Sequence, residues 1–287
     1  MMDYPEATLK EYGYKEHRIL KKLWAISKKI LLIITVIGLY MPILIIAIQS
    51  LNTSTDAAKF QGFTAYWYTH MFENRSLTES IKNTLLISLS ATLASTILGT
   101  LIAIGMNYLP NKAKQKLMLI NNIPLLNADI VTGVSLMLLF SLLLPIFPHI
   151  FGFTTLFLAY LFFTLPYIIL SVLPKFKEID SNLMDAAMDL GMKPFKAAIK
   201  VLVPAVKAGI FSGAILAFTI SFEDFVVSYF TTGNGFDTLS IWLYSSKGKN
   251  SLTPSVYAFN TLVVLSSILV IVLYQLLKGK KKHAKKY

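Results

Sequence analysis

The sequence predicts an all-α, polytopic membrane protein with six transmembrane helices, and three observations support this fold class. Hydrophobic residues make up 55% of the 287 residues, charged residues only 15%, and the mean hydropathy is +0.60. The charged share of a soluble domain is about a quarter. Six apolar stretches are long enough to cross a bilayer, and basic residues concentrate in alternate connections between them.

Each apolar stretch reaches the roughly 20 residues that a helix needs to span a membrane. The six stretches are residues 30–51, 83–107, 120–147, 154–174, 205–230 and 256–277. The first follows a polar segment of 29 residues, is too long for a signal-peptide core and lacks a small-residue cleavage pattern, so we expect it to remain as a helix. The third is interrupted by Asn121, Asn122, Pro124, Asn127 and Asp129.

The distribution of basic residues predicts the orientation. The terminal segments and the connections 108–116 and 175–207 hold 22 of the 27 Lys and Arg residues, which places them in the cytoplasm by the positive-inside rule. We therefore predict a basic cytoplasmic segment at 1–29, a transmembrane domain at 30–277 and a basic cytoplasmic tail at 278–287 that contacts anionic lipid headgroups. The net charge of +12 follows from this rule, and no nucleic-acid-binding module is evident.

Several chemistries are excluded by residue type. The chain has no cysteine, and its four histidines are scattered without the spacing of metal ligands. No Walker-type phosphate-binding loop occurs, so another subunit must bind any ATP that the protein uses. We predict no catalytic, cofactor-binding or metal-binding residues.

The polar connector at 175–207 has the pattern of a short helix between two turns. Asp180 or Ser181 is placed to cap the start of this helix. One thin apolar stripe then follows at i, i+3, i+4 and i+7, formed by Leu183, Ala186, Ala187 and Leu190. Because two of the four are alanines, another backbone can approach this stripe closely.

The turns of the connector are predicted from glycine and proline. Gly191 stands where a left-handed C-terminal cap belongs. Pro194 and Pro204 each suit the first turn of a following helix. The chain is therefore expected to turn twice here.

The connector resembles the Glu-Ala-Ala loop of binding-protein-dependent ABC importer permeases, which continues with three residues, Gly, nine residues and Ile-x-Leu-Pro. The spacing is kept in full, while Asp185, Val201 and Val203 replace Glu, Ile and Leu with residues of like character. In the family, this loop inserts a coupling helix into the ATP-binding subunit. The resemblance implies that the coupling residues are Asp185, Ala186, Ala187, Leu190, Gly191 and Pro204. The alternative is an ordinary amphipathic hairpin between two membrane helices.

Three acidic residues lie within the apolar stretches, namely Asp129, Glu223 and Asp224, and no Lys or Arg accompanies them in the interior of the spans. A charge at the centre of a lone membrane helix costs about 2.5–3.5 kcal/mol, so such residues usually face a bundle interior or an aqueous path. An acid-only set predicts a route for cations. In the alternative interpretations, Glu223 and Asp224 form an interfacial pair in water and Asp129 caps a helix after Asn127.

Outside the connector, residues from about 30 to 275 resemble the PotC-type permease subunits of spermidine/putrescine importers. The segments that carry the resemblance are Asn52-Thr53-Ser54, Phe60-Gln61-Gly62-Phe63-Thr64, Trp67-Tyr68, Asp129-Ile130-Val131 and Ser221-Phe222-Glu223-Asp224-Phe225-Val226-Val227-Ser228. The last reads Ser-Leu-Asp-Asp-Val-Val-Val-Ser in the family, so this chain departs at Phe222, Glu223 and Phe225 but keeps a paired acid.

The resemblance implies the type I importer permease (MetI-like) fold with a cytoplasmic coupling helix, in the cell membrane. It implies that the chain itself catalyses no reaction and forms half of a polyamine path. The implied partners are a second homologous permease subunit, two ATP-binding subunits and one extracytoplasmic polyamine-binding protein, which residues 52–82 and 231–255 would receive on the outer side.

Three alternatives remain at the level of sequence. One is an ABC permease for another small solute, such as iron, sulfate or phosphonate, although an acid-only intramembrane set opposes an anion. Another is a stand-alone secondary transporter, but the chain shows no second copy of the Asp129 or Glu223 environment that an inverted repeat would bring. A membrane anchor without a transport role leaves the intramembrane acids unexplained.

Overall fold

The computed structural model describes residues 6–54, 59–180, 182–247 and 254–283. The described helices are α1 (Glu6–Gln49), α2 (Tyr66–His70), α3 (Arg75–Asn107), α4 (Asn111–Leu126), α5 (Asp129–Ser141), α6 (Phe153–Val172), α7 (Leu183–Asp189), α8 (Pro194–Ala197), α9 (Val203–Ala205), α10 (Lys207–Glu223), α11 (Val226–Thr231), α12 (Leu239–Lys247) and α13 (Pro254–His283). Within these ranges the only β structure is an isolated bridge, so the predicted all-α class is confirmed.

The chain divides into two compact units. The first comprises Met1–Met71 with Ser251–Tyr287, and the second comprises Phe72–Asn250. In the first unit, α1 packs against α13, and the apolar segment Ile26–Gln49 of α1 is long enough to span a membrane. The predicted span 256–277 lies within α13, whose segment Pro254–Ser266 is apolar.

A buried asparagine organises the segment that follows α1. The Asn52 side chain is fully buried, its Nδ2 donates to the Lys59 carbonyl at 2.8 Å, and its Oδ1 accepts from the Gln61 backbone N–H at 3.1 Å. Trp67 Nε1 donates to the Asn52 carbonyl at 2.8 Å, and an antiparallel bridge joins Asn52 to Phe63. These hydrogen bonds satisfy the buried polar groups of Asn52. They also fix the segment that is predicted to lie outside the membrane.

The second unit contains two helices that are long and apolar enough to span a membrane, Arg75–Asn107 and Phe153–Glu178, and two bent pairs that qualify if each pair is one span. The pair α4 and α5 bends by 101° where Asn127 and Ala128 are extended, so the predicted break in the third span is confirmed. The pair that ends in α10 bends by 74°. Bends of this size require side chains or close neighbours to satisfy the freed backbone groups.

The prediction that the fifth span, 205–230, is one continuous helix is wrong. α10 ends at Glu223, Asp224 is extended with ψ of 128°, and α11 begins at Val226. The break has a local cause, because the Asp224 carboxylate accepts hydrogen bonds from the Val227 and Ser228 backbone N–H groups and so starts a new helix.

The core of the second unit lies where α3, α6 and α10 meet. Glycines allow close approach there, since a Cβ at Gly209 would lie 2.6 Å from the Ser171 carbonyl oxygen and one at Gly213 would lie 3.1 Å from Ile168 Cα. Small residues are the usual way in which membrane helices bring their backbones together. α10 is therefore held against α6 along its first half.

A ladder of hydroxyl side chains runs along α3 at every fourth residue: Ser80, Thr84, Ser88, Thr92, Thr96 and Thr100. Thr84 Oγ1 donates to the Ser80 carbonyl at 2.8 Å and accepts from the Leu239 backbone N–H at 2.7 Å, which ties α12 to α3. The hydroxyl oxygens of the last four are buried and have no hydrogen-bond partner among the described residues. Such groups are costly and few in native structures.

Candidate functional site

The helix predicted for coupling is α7, Leu183–Asp189, which is shorter than a helix that runs from a cap at Ser181 to the end of the stripe at Leu190. Asp180 contributes to its start, because Asp180 Oδ1 accepts from the Asn182 backbone N–H at 3.0 Å and its carbonyl accepts from the Leu183 N–H at 3.2 Å. The bond forms an Asx-type turn just before the helix. Ser181 lies outside the described residues.

α7 has one face against its own chain and one face uncovered. Met184 and Ala187 are 8% and 5% exposed, whereas Leu183, Ala186 and Leu190 are exposed, Leu190 by 81%. The prediction of one stripe of four residues is therefore wrong in one respect. Ala187 pairs with Met184 three residues earlier and packs inward, which leaves the other three at i, i+3 and i+7 as a separate apolar face.

The end of α7 has the geometry that the glycine predicts. Gly191 has φ of +83°, its N–H donates to the Met188 carbonyl at 2.8 Å, and the Met192 N–H donates to the Ala187 carbonyl at 3.2 Å. These two bonds make a Schellman motif. The prediction of a left-handed cap at Gly191 is confirmed, and the chain reverses direction there.

Both prolines of the connector lie in first turns, as predicted. Pro194 begins α8, and Pro204 is in the first turn of α9. Between these helices, Ala198–Leu202 is π-helical, a form that is rare and often found at functional sites. Pro204 is exposed, and the connector passes into α10 through the bend at Val206.

The inner face of α7 is seated in the main buried cluster of the second unit. Met184 and Ala187 belong to the same cluster as Ile104 of α3, Val172 of α6 and Leu202 of the connector. The connector is thus packed against the C-terminal ends of α3 and α6. Close-packed side chains therefore connect α7 directly to these helices.

Asp185 is exposed in the first turn of α7, where a negative charge is favourable. Its field reaches Tyr108, which follows the end of α3. Burial raises the pKa of the Tyr108 hydroxyl, and the charge of Asp185 raises it further. The predicted acidic position of the loop is therefore electrostatically linked to α3.

The second predicted site combines residues that are distant in sequence. Asp129 begins α5 directly after the break in the third span, and Asp224 lies in the break between α10 and α11. The helices α5 and α11 pack against each other. Both carboxylates line one cavity of about 220 Å³. Asp129 is exposed and occupies the first helical position of α5 without making a side-chain capping bond. The cap of the alternative interpretation is therefore not formed, although a negative charge is favourable at this position.

Asp224 is held by several groups. Its carboxylate accepts from the Ser228 N–H at 2.8 Å and the Val227 N–H at 3.2 Å, and the Tyr160 hydroxyl donates to its Oδ2 at 3.4 Å. Its backbone carbonyl accepts from the Ser240 hydroxyl at 2.6 Å. Asp224 is thus half-buried at a junction of α6, α10, α11 and α12.

Glu223 has a different environment from its neighbour. It is the last residue of α10, is exposed and does not line the cavity. The structure therefore separates the acidic pair that the sequence presents as a unit, and brings Asp224 together with Asp129 instead. The extended backbone at Asp224 turns the two adjacent side chains in different directions.

Sequence reasoning missed the aromatic wall of this cavity. Tyr160, Phe163 and Tyr167 of α6 line it together with Thr164. Their spacing at three and four residues marks one helix face, but nothing in the sequence joins that face to Asp129 and Asp224, which are distant in the chain. Among the described residues, no cluster of three or more His, Cys, Asp or Glu side chains is placed to hold a metal ion.

Comparison with known families decides the class of the protein. The family described as the binding-protein-dependent transport system inner membrane component matches residues 95–283, more than half of the chain. The chain belongs to this family. The matched range includes the connector at 175–207 and also Asp129, Glu223 and Asp224.

Proteins similar to this chain include three transport system permease proteins. The spermidine/putrescine transport system permease protein PotC of Haemophilus influenzae is 32% identical over 245 residues, covering 85% of this chain and 93% of that protein. PotC of Escherichia coli K12 is 30% identical over 243 residues, covering 85% and 90%. The putrescine transport system permease protein PotI of the same strain is 29% identical over 249 residues, covering 86% and 87%.

Solved structures show the same fold at low sequence identity. A bacterial ABC transporter involved in the import of the acidic polysaccharide alginate superposes with a TM-score of 0.68 at 15% identity, covering 90% of this chain and 96% of that chain. The alginate transporter in complex with its pentasaccharide-bound periplasmic protein gives 0.61 at 16% identity, covering 90% and 94%. The predicted importer permease fold is therefore confirmed.

Proposed function

We propose that this chain is the permease subunit of an ATP-driven importer of polyamines, spermidine or putrescine, that it forms half of the translocation path, and that it couples the path to a separate ATPase. The assignment of a polyamine cargo rests on the cavity that Asp129 and Asp224 line together with Tyr160 and Tyr167. Relatives that share about 30% of its residues are named as polyamine permeases.

The chemistry of the cavity suits a flexible chain with several ammonium groups. Carboxylates replace the hydration of an ammonium group, and aromatic faces attract it through the π system. Two spaced acids serve two charges of one cargo molecule. No Lys or Arg lines the cavity within the described part of the chain. An anionic solute such as sulfate or phosphonate finds no counter-charge there, which opposes the principal alternative cargo.

The uncovered face of α7 supports the coupling role. Leu183, Ala186 and Leu190 expose apolar surface on a helix whose other face is buried. Because the connector is assigned to the cytoplasm, this apolar patch suits contact with another protein rather than with lipid. In this proposal, the occupant is the ATP-binding subunit. The ATP is bound there, and this chain performs no bond chemistry and holds no cofactor.

α10 links the two sites mechanically. It begins at Lys207, the last residue of the connector, is held against α6 at Gly209 and Gly213, and ends at Glu223, next to Asp224. Movement of α7 by the motor pair is passed along α10 to the break that holds Asp224. The path then alternates between inward-facing and outward-facing states by rigid-body motion of packed helices.

The proposed assembly contains this chain, a second homologous permease subunit, two ATP-binding subunits and one extracytoplasmic polyamine-binding protein. Both termini face the cytoplasm, as the basic residues predict. The segment organised by Asn52 faces outward and offers the edge-to-face pair Phe60 and Phe63 to the loaded binding protein. A stand-alone secondary transporter needs none of these partners.

The test is reconstitution of this chain with its partner subunits in liposomes. Spermidine- or putrescine-loaded binding protein should stimulate ATP hydrolysis and drive uptake of the labelled polyamine, while sulfate-loaded binding protein should do neither. Uptake of polyamine that proceeds without any ATP-binding subunit would refute the coupling role. Stimulation by another cargo alone would refute the assignment of the substrate.

A further inference from the structure

A second, larger cavity of about 610 Å³ lies between the start of α4 and the 3₁₀ segment Leu173–Glu178 that follows α6. We call it the α4 groove; its lining includes Asn111, Lys114, Met118, Leu119, Leu173 and Lys177. Its size falls within the range of ordinary ligand sites. Neither the coupling helix nor the acidic cavity contributes a residue to it.

The α4 groove is polar at one end and apolar at the other. Asn111 and Lys114 lie in the first turn of α4, and Met118 and Leu119 lie two turns further along. At 1.5 Å per residue, Asn111 and Leu119 are about 12 Å apart along the helix axis. Leu119 is 70% exposed, so the apolar end has a wall that the chain itself does not cover.

The charge of the polar end is positive and unbalanced. Neither Lys114 nor Lys177 takes part in an ion pair or a side-chain hydrogen bond among the described residues, and no acidic residue lines the groove. The neighbouring Lys175 behaves differently, because its Nζ lies 2.8 Å from Glu178 Oε1. The two groove lysines are therefore free to bind an anion.

The position in sequence places the α4 groove at a membrane surface. α4 enters the predicted third span at residue 120, and Leu173 and Pro174 end the predicted fourth span. The groove thus lies where two spans meet the connections 108–116 and 175–207. These connections are the basic ones that the charge distribution assigns to the cytoplasm, where anionic lipids are found.

We propose that the α4 groove binds one anionic phospholipid. The phosphate lies between Lys114 and Lys177, and the glycerol and first acyl carbons lie on Met118, Leu119 and Leu173. A free phosphate ion does not explain the apolar wall, and an uncharged lipid does not explain two unpaired lysines. Each Lys near a lipid surface contributes about 1 kcal/mol to the attraction, so loss of both weakens binding roughly thirtyfold.

The test uses the full-length chain purified in mild detergent. Phosphatidylglycerol should raise the midpoint of thermal unfolding by on the order of 5 °C when it is present in large excess, whereas phosphatidylcholine and inorganic phosphate should not. The double variant Lys114→Gln/Lys177→Gln should lose this selective increase. The matched control Lys196→Gln/Lys200→Gln removes two exposed lysines of the coupling connector and should keep it.

Three results would overturn the proposal: an equal increase with phosphatidylcholine, an equal increase with inorganic phosphate, or an increase that survives in the groove variant. If that variant does not fold, the wild-type chain is irradiated with a photoactivatable phosphatidylglycerol. Labelling of peptides that contain residues 111–119 or 173–177 supports the site. Labelling only elsewhere contradicts it.

Discussion

The Tyr160 hydroxyl donates a hydrogen bond to Asp224 Oδ2 across 3.4 Å, and this contact joins the middle of α6 to the break between α10 and α11. With the backbone N–H groups of Val227 and Ser228 on the same carboxylate, Asp224 has a structural task as well as a place in the cavity. The Asp129 carboxylate has no hydrogen-bond partner among the described residues and is free for a ligand. The two acids of one cavity therefore differ in what their loss should do.

The first prediction separates these two tasks. Asp129→Ala and Asp224→Ala should each lower polyamine uptake at least tenfold, because each removes a charge from the cavity. Asp224→Ala should also lower the free energy of unfolding by about 1 kcal/mol, since a helix loses its capping side chain. Glu223→Ala is the control and should change neither property. Uptake assays and thermal unfolding measure the two effects, and unchanged uptake in both variants would remove these acids from the path.

The second prediction concerns the end of the coupling helix. A Cβ on Gly191 meets nothing within 4 Å, so the cost of a side chain comes only from its positive φ. Gly191→Val should cost about 1–2 kcal/mol and uncouple ATP hydrolysis from uptake, because the turn that orients α7 is strained. Gly191→Asn should be milder, since asparagine tolerates this backbone region. Equal activity of the two variants would show that the left-handed turn has no role in coupling.

The third prediction tests the uncovered face of α7. Leu190→Asp should leave the chain folded, because Leu190 is 81% exposed, but should abolish stimulation of the ATPase by loaded binding protein. Met184→Asp should instead prevent stable folding, because it places a charge in the buried cluster. Co-purification with the ATP-binding subunit and an ATPase assay distinguish the two. Normal coupling in Leu190→Asp would place the docking surface elsewhere.

The fourth prediction compares two threonines of the α3 hydroxyl ladder by the same isosteric change. Thr84→Val removes the acceptor of the buried Leu239 N–H and should cost about 1–3 kcal/mol in stability. Thr92→Val removes a buried hydroxyl that has no partner among the described residues and should be neutral or stabilising. Thermal unfolding in detergent gives both values. Destabilisation by Thr92→Val as large as that by Thr84→Val would mean that its hydroxyl is satisfied by water.

The fifth prediction follows from the link between α7 and α3. Burial and the charge of Asp185 both raise the pKa of Tyr108 above its ordinary value of 10.0, burial being the larger cause. Asp185→Asn should therefore lower this pKa without restoring the ordinary value. Ultraviolet difference titration against a Tyr108→Phe background isolates the one tyrosine. A pKa that does not respond to Asp185→Asn would show that the two residues are not close in the protein.

Much of the connector was predictable because its signals are local. The left-handed turn needs only Gly191 in the right place, and Pro194 needs only its own ring to favour a first turn. Which face of α7 is buried was not predictable, since Met184 and Ala187 pack against residues of α3 and α6 that are far away in the chain. Local periodicity shows that a helix has an apolar face but does not say what covers it.

The cavity also separates what the local sequence predicts from what tertiary packing decides. The presence of Asp129, Glu223 and Asp224 in apolar stretches follows from composition, because a charge in hydrocarbon is costly wherever the chain goes. Their grouping does not, because one extended residue at Asp224 turns Glu223 away and brings Asp224 towards Asp129 and Tyr160.

Hydropathy and residue spacing were sufficient to predict the helical class, the broken third span and the left-handed turn at Gly191, since bilayer thickness and backbone sterics act on each segment separately. The packing of α5, α6 and α11 determines which acids share a cavity, and the packing of α7 against α3 and α6 determines which of its apolar side chains stay exposed. The grouping of the acids and the exposure of the α7 side chains depend on contacts between segments that are distant in the sequence. Close packing fixes these contacts only when the whole chain is folded.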